Sequence, residues 1–305
     1  MGPNAVAFPT STHTATTLAS FIPEIWGERI NDFFRSKLVM ASFFIDRSSE
    51  LVEGGDILQT PNMTEMAASS KADATAVTLV SPTDTKISLT VNQWFECSFA
   101  VEDRDAAQMK RSYYTQEKYA MGAGYSVAKK LEVAIAELFD NFSQTVGTSV
   151  AALADSDIRA AINFLTVAEI DVTEDCAFFV APAVFWKQIQ AIDKFSLAVN
   201  SPVNDPTAKK PQGSLYGIPV YVTTNIQYIS GTTGRANALA HKDAIHWATS
   251  PLGAGSDGPS VTGRFGVRVQ SNYIPEYLST VTTADILYGV IENRDTSGVY
   301  MLSST

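Results

Sequence analysis

The stretch that decides the fold runs from Val101 to Phe142, VEDRDAAQMKRSYYTQEKYAMGAGYSVAKKLEVAIAELFDNF. Glu102, Asp103 and Asp105 crowd its start, where carboxylates suit the exposed amides and positive end of a helix dipole, and no proline interrupts the remainder of the stretch. Tyr114, Met121, Ala128, Ile135 and Phe142 recur every seven residues, with Gly124, Val127, Leu131, Ala134 and Leu138 filling the same side. The pattern predicts one long helix with a single apolar stripe over 103–142. Lys110, Arg111, Glu117, Lys118, Lys129, Lys130, Glu132 and Glu137 fall mostly off the stripe, so they are expected on a solvated face. At 1.5 Å per residue, about 38 helical residues would span roughly 57 Å, more than a self-contained domain needs. Gly122 and Gly124 are expected to bend the rod at its middle.

Outward from this helix, the composition bounds the rest. The 305 residues are 45% apolar and only 18% charged, enough to bury a substantial core over about two domains. The net charge of −10 opposes nonspecific adhesion to nucleic acid, which needs clustered Lys and Arg. Cys97 and Cys176 have neither CxxC spacing nor companion histidines, and are expected as two buried free thiols in a reducing compartment. The first 20 residues lack a basic start and an apolar core, and no run of 18 apolar residues occurs. No membrane span is expected, and synthesis and retention in the cytoplasm are.

Residues 1–20, rich in Thr, Ser and Ala, read as an extended arm. Next comes a short helix from Pro23, with Trp26, Ile30 and Phe33 on one stripe; Leu38–Ile45 reads as a buried strand or extended segment. LVEGGDILQTPN and KISLTVNQWFECSFAV read as strands, and Met63–Lys86 between them offers few large side chains for a core. An isolated two-stranded ribbon is marginal in water, so this hairpin is expected to lie on a neighbouring molecule. Beyond the long helix, the reading gives a helix over Asp157–Leu165, strand CAFFVA, a helix after Pro182, a polar loop over 201–214 and strand GIPVYVTTNI. ANALAHKDAIHWAT reads as strand then helix, 250–264 as a loop, and RFGVRVQS, STVTTADILYGVIEN and SGVYML as strands.

Motifs that would carry chemistry are weak. Gly253, Gly255 and Gly258 match GxGxxG but are flanked by Pro251 and Pro259 instead of a strand and a helix. His241 and His246 are five apart, and HKDAIH lacks the Glu of HExxH. Asp103 and Asp105 read as helix-start caps. No catalytic residue, metal ligand or cofactor is expected.

Seven segments in order, GGDILQTP, QWFECSFAVEDRDAAQ, AGYSVAKKLEVAIAELF, CAFFVAPAVFWKQI, YGIPVYVTTNI, ALAHKDAIHWA and ILYGVIENR, together resemble the major capsid proteins of tailed bacteriophages with the HK97-like fold. The resemblance implies an α+β chain divided into an N-terminal arm (1–49), an extended loop (50–92), a peripheral domain (93–152 and 276–305, with spine helix 103–142) and an axial domain (153–275). It implies pentamers and hexamers closing into an icosahedral shell around double-stranded DNA, without sequence-specific contacts. A separate scaffolding protein and a portal are the implied partners, and the virion the implied location, after assembly in the bacterial cytoplasm. Gly54, Gly55, Pro61, Lys71 and Lys86 in the loop, with Trp26 and Phe33 in the arm, are the residues expected to carry contacts between copies. A cargo-enclosing nanocompartment shell of the same fold is the alternative, and an α/β enzyme with a helical appendage a more distant one.

Overall fold

The computed structural model describes residues 38–51, 55–63, 66–108, 112–192, 213–229, 234–250, 252, 260–262 and 264–305. The arm over 1–20, the helix expected from Pro23 with Trp26 and Phe33, Gly54, the loop over 201–212 and the GAGSDG motif lie outside them.

The apolar stripe produces helix. Helix α2 spans Asp103–Gln108 and α3 spans Ser112–Glu137, followed by a 3-10 turn over Leu138–Asn141. Residues 109–111 between α2 and α3 lie outside the described residues, and the α-helix gives way to the 3-10 turn at Leu138. At 1.5 Å per residue α3 is about 39 Å long. It runs helically through Gly122 and Gly124, and Gly124 lies beside Val269, whose Cγ2 would sit 3.9 Å from an added Cβ. Val127, Ala128, Leu131, Ile135 and Phe142 are buried as the periodicity predicts, whereas Met121 is exposed; Phe139, off the predicted stripe, is buried in place of Leu138. Glu132, expected in solvent, is fully buried.

Helix α3 packs on one face of a six-stranded sheet. Strand β13 (Ser279–Glu292) is its axis: β4 (Gln93–Glu102) pairs antiparallel along one edge, and β12 (Arg268–Ile274) and β10 (Ile245–Thr249) pair in succession along the other. Strand β1 (Ile45–Asp46) extends the sheet beyond β10, and β11 (Ser260–Thr262) beyond β12. Alternation puts Phe95, Cys97 and Phe99 of β4 toward α3, where Phe95 stacks on Tyr288 at 5.9 Å, Phe99 meets Tyr119 at 5.8 Å, and Lys130 Nζ lies 5.3 Å from the Phe95 ring centre. Cys97 is accordingly half-buried rather than buried. On the opposite face Asp285 accepts from Arg268 Nε at 2.9 Å and Nη2 at 2.6 Å, and from the Trp94 indole at 3.2 Å, joining three strands through one carboxylate.

A second six-stranded sheet has the order β5-β14-β9-β6-β8-β7, with β5 Thr145–Gly147, β14 Gly298–Ser303, β9 Arg235–His241, β6 Cys176–Val180, β8 Ile218–Val222 and β7 Ser214–Leu215. Its central strand β6 is buried at every position, the signature of a strand covered on both faces. Helix α4 (Asp155–Val167) buries Ile158, Ala161 and Leu165, and its first turn is closed by Asp157 Oδ2 accepting from the Ala154 amide at 3.0 Å. After Pro182 a short helix α5 (Pro182–Val184) passes into a π-turn over Phe185–Ile189.

Three expectations change. Leu38–Ile45 is mostly helix, α1 (Met40–Phe43), with only Ile45 and Asp46 in strand. ANALAHKDAIHWAT is two strands, β9 and β10, joined through Lys242–Ala244 and assigned to different sheets. The stretch read as a loop over 250–264 includes β11. Strands distant in sequence are paired: β10 and β12 join β13, and the C-terminal β14 joins β9. One core runs through both sheets, with Phe43, Phe44, Phe139, Phe142, Phe179 and Tyr221 in mutual ring contact. Gly298 opens β14 because an added Cβ would lie 2.3 Å from the buried Phe142 ring.

Candidate assembly surface

The hairpin stands apart from both sheets. Strand β2 (Ile57–Met63) pairs antiparallel with β3 (Asp84–Thr90), and residues 66–83 between them are exposed throughout. In the register Leu58 faces Leu89 and Thr60 faces Ile87, which makes one half-buried face. Leu51, Leu89, Val91 and Ala248, with Leu58, Leu287 and Ile291, form a small cluster separate from the main core, which fixes the root of the ribbon on β10 and β13. Two backbone features fix it further. The Val91 amide donates to the Asp56 carbonyl at 2.7 Å, and an added Cβ at Gly289 would lie 2.2 Å from the Thr90 carbonyl oxygen, so only glycine lets β13 pass this close.

Beyond the root the ribbon has no packing partner among the described residues. Leu79 is 89% exposed and Met63 80%, with Val77, Met66 and Val80 also exposed. Each such side chain left in water forgoes about 1.5–3 kcal/mol of burial. A two-stranded ribbon with no covered face is marginal in isolation, and the outer half of this one is bare apolar surface.

The expected contact residues are partly brought together. Pro61 and Lys86 are register partners, both exposed, with Lys86 Nζ donating to Gln59 Oε1 at 3.3 Å on the same face. Gly55 has a φ of +118°, a conformation suited to glycine, with open space where a Cβ would be. Lys71 is exposed and donates to the Ala72 carbonyl at 3.1 Å. Gly54, Trp26 and Phe33 lie outside the described residues. The sequence reading missed the outer apolar residues Met63, Met66, Val77 and Leu79, and the root cluster. Period-two spacing of Ile87, Leu89 and Val91 was the available signal for the latter.

The titratable groups elsewhere are used structurally. Asp243 meets His246 Nε2 at 2.8 Å and Arg294 Nε at 3.0 Å, and accepts from the Asn293 amide at 3.3 Å, stitching the β9–β10 connection to the end of β13. His241 Nδ1 accepts from the Asp243 backbone amide at 3.2 Å, and burial holds its pKa below the ordinary value. Thus both histidines are turned toward Asp243 rather than toward a shared ligand. Asp103 accepts from the Tyr273 hydroxyl at 2.8 Å at the start of α2. Burial, followed by the charges of Asp171 and Asp175, pushes the Cys176 thiol up to about 12, which makes it a poor nucleophile. Among the described residues no three metal-binding side chains cluster, and no helix is long and apolar enough to cross a membrane.

No family model matches the sequence, and no curated protein does. Solved structures do match the fold. A chain from Mycobacterium phage Che8 superposes with a TM-score of 0.73 at 18% identity, covering 92% of this chain and 97% of that one. The capsid structure of cyanophage P-SCSP1u gives 0.73 at 11% identity, covering 100% and 99%. The mature capsid of bacteriophage PhiM1 gives 0.69 at 12% identity, covering 93% and 92%. The fold is that of phage capsid chains. Because the capsid-fold likeness runs nearly end to end in both directions, the hairpin and both sheets fall within it.

Proposed function

We propose that the chain is the major capsid protein of a tailed phage, with the HK97-like fold, whose activity is self-association into an icosahedral head shell around double-stranded DNA. The observation that carries the reading is the β2–β3 ribbon, rooted on its own body at Leu58, Leu89 and Val91 and bare beyond them. A limb built this way is stable when it lies on the next copy, and head-to-tail contacts of that kind close into rings. The end-to-end likeness to phage capsid chains supports it.

Within this reading residues 1–49 act as the arm, 50–92 as the extended loop, 93–152 and 276–305 as the peripheral part with the spine helix, and 153–275 as the axial part around five- and six-fold axes. Gly54, Gly55, Pro61, Lys71 and Lys86, with Trp26 and Phe33, serve contacts between copies. Several modest contacts act together, so none has to be strong alone. The net charge of −10 suits a DNA container, since a basic lining would hold the polymer by its phosphates and hinder packing. A separate scaffolding protein and a portal complete the assembly, which takes place in the bacterial cytoplasm.

Deleting Met63–Lys86 tests the reading. The shortened subunit is expected to fold, with a circular dichroism spectrum like the parent's, and to form no stable closed shells. Normal particles by electron microscopy would contradict it. Nuclease-protected DNA in parent particles supports a phage head, and an enzyme cargo in its place would identify a compartment of the same fold.

A further inference from the structure

The ribbon is seated on a saddle formed by β10 and β13. Along β13, Ala284, Ile286 and Tyr288 are buried in the main core and Val290 packs against it, so the alternating residues Leu287, Gly289 and Ile291 turn to the opposite face of the sheet. Ala248 is the register partner of Gly289. The floor of the saddle is therefore one glycine and one alanine, with Leu287 and Ile291 at its ends. Leu89 and Val91 of the ribbon root are buried in the same cluster, and the Thr90 main chain between them passes over Gly289. A Cβ at position 289 would meet the Thr90 carbonyl oxygen at 2.2 Å, its carbonyl carbon at 2.8 Å and Val91 Cα at 3.0 Å. All three are main-chain atoms, so no side-chain rotation relieves the clash and the ribbon itself has to move.

We propose that Gly289 is a positioning residue that presets the direction in which the ribbon leaves the body. The inference rests on the reading of the ribbon as the limb between copies, and adds that its angle is set in the free subunit, before a neighbour is met. Ties of three kinds hold the joint. Thr90 is in steric contact with the Gly289 main chain, and Leu89 and Val91 are packed with Leu287 and Ile291. The Val91 amide donates to the Asp56 carbonyl at 2.7 Å, which fastens the end of β3 to the residue preceding β2. Leu51 closes the cluster from the chain that leads into the ribbon. Glycine inside a strand weakens it and marks a close approach of another backbone, which is the use made of it here. A limb aimed in advance loses less freedom when it meets its partner, so the contact between copies is stronger for the same buried area.

The saddle and the main core lie on opposite faces of the sheet, so the angle of the ribbon and the fold of the body are separable. Alanine at 289 adds bulk on the ribbon side only. It must push the Thr90 carbonyl oxygen from 2.2 Å out to the 3.4 Å or more of ordinary contact. Levered along the strand from Thr90 to Thr85, about 17 Å at 3.4 Å per residue, that displacement moves position 85 by at least about 3 Å.

Double electron–electron resonance on the full-length subunit, below the concentration at which particles form, reads the angle directly. Spin labels go on Thr85→Cys in β3 and Lys129→Cys on α3, both exposed, in a background carrying Cys97→Ser and Cys176→Ala. The parent should give one narrow distance distribution. Gly289→Ala should keep it narrow and shift its mean by at least about 3 Å, whereas Leu89→Ala, which removes packing without adding bulk, should broaden it about the parent mean. A broad distribution in the parent, or an unshifted mean in Gly289→Ala, would overturn the proposal. Loss of the parent circular dichroism spectrum in Gly289→Ala would overturn it too, because the glycine would then serve the sheet and not the ribbon. Electron microscopy of the same variants tests the limb reading separately. A turned ribbon should give shells of altered diameter or none, and shells of parent diameter from a subunit whose ribbon has turned would contradict the limb while supporting the saddle.

Discussion

Arg268, Asp285 and Trp94 show how much this fold rests on single side chains. Asp285 is almost completely buried and takes both nitrogens of Arg268 in a two-point contact, plus the indole of an otherwise exposed Trp94. Arg268→Met leaves a buried carboxylate with only the Trp94 donor. It should lower stability by about 3 kcal/mol in denaturant titrations, and replacement of Asp285 by Asn in the same background should recover part of the loss. An additive double mutant would show that the pair does not interact. A second acidic site gives a pH signature. Burial, together with the hydrogen bond and charge of Asp295, pushes Glu292 up to about 7. Burial acts on Asp295 in the same direction, but the Ser143 hydroxyl and amide donating to it outweigh that and hold it below its ordinary range. Glu292 thus adds stability below about 4.5 that disappears as pH rises through about 7, whereas the Asp295 contribution exists above its unfolded value and vanishes only in stronger acid. Melting temperature should fall between pH 5 and pH 8, and Glu292→Gln should reduce that fall; an unreduced fall would count against the shared carboxyl pair.

At the scale of elements, Leu131 sits at the centre of the α3 stripe with no exposed surface. Leu131→Asp places an unpaired charge there and should cost several kcal/mol, seen as loss of soluble folded protein; retained normal melting would show that α3 does not pack as described. This stripe was legible because period-3.6 spacing reports burial directly, and so were β6, β8, β12, β13 and β14 from their apolar runs. The failures have physical causes. Residues 40–43 carry no helix-start signal of their own, because the acceptor for their amides is Glu132. Glu132 itself reads as a surface residue from its neighbours Lys129 and Lys130, since one-dimensional patterning cannot show that a carboxylate caps another helix. Strand β10 is buried at all five positions, so IHWAT shows no alternation to separate strand from helix. Within the hairpin, sequence indicated how little core its outer part has, but the root on Ala248, Leu287 and Ile291 depends on contacts nearly 200 residues away.

At the scale of the whole molecule, the chain combines one continuous core through two sheets with a ribbon that this core does not cover. Many of its described titratable groups join strands and helix ends, and Leu79 and Met63, among its most exposed apolar side chains, lie on the ribbon. These features are why contacts between copies, rather than a pocket, are the expected seat of activity. Particle formation by the purified 32.9 kDa subunit, followed by analytical ultracentrifugation and negative-stain electron microscopy over a range of concentrations, tests this most directly. The account predicts closed shells with five-fold vertices, built from many copies; a subunit that stays a monomer at every concentration, with and without co-expressed scaffolding protein, would contradict it.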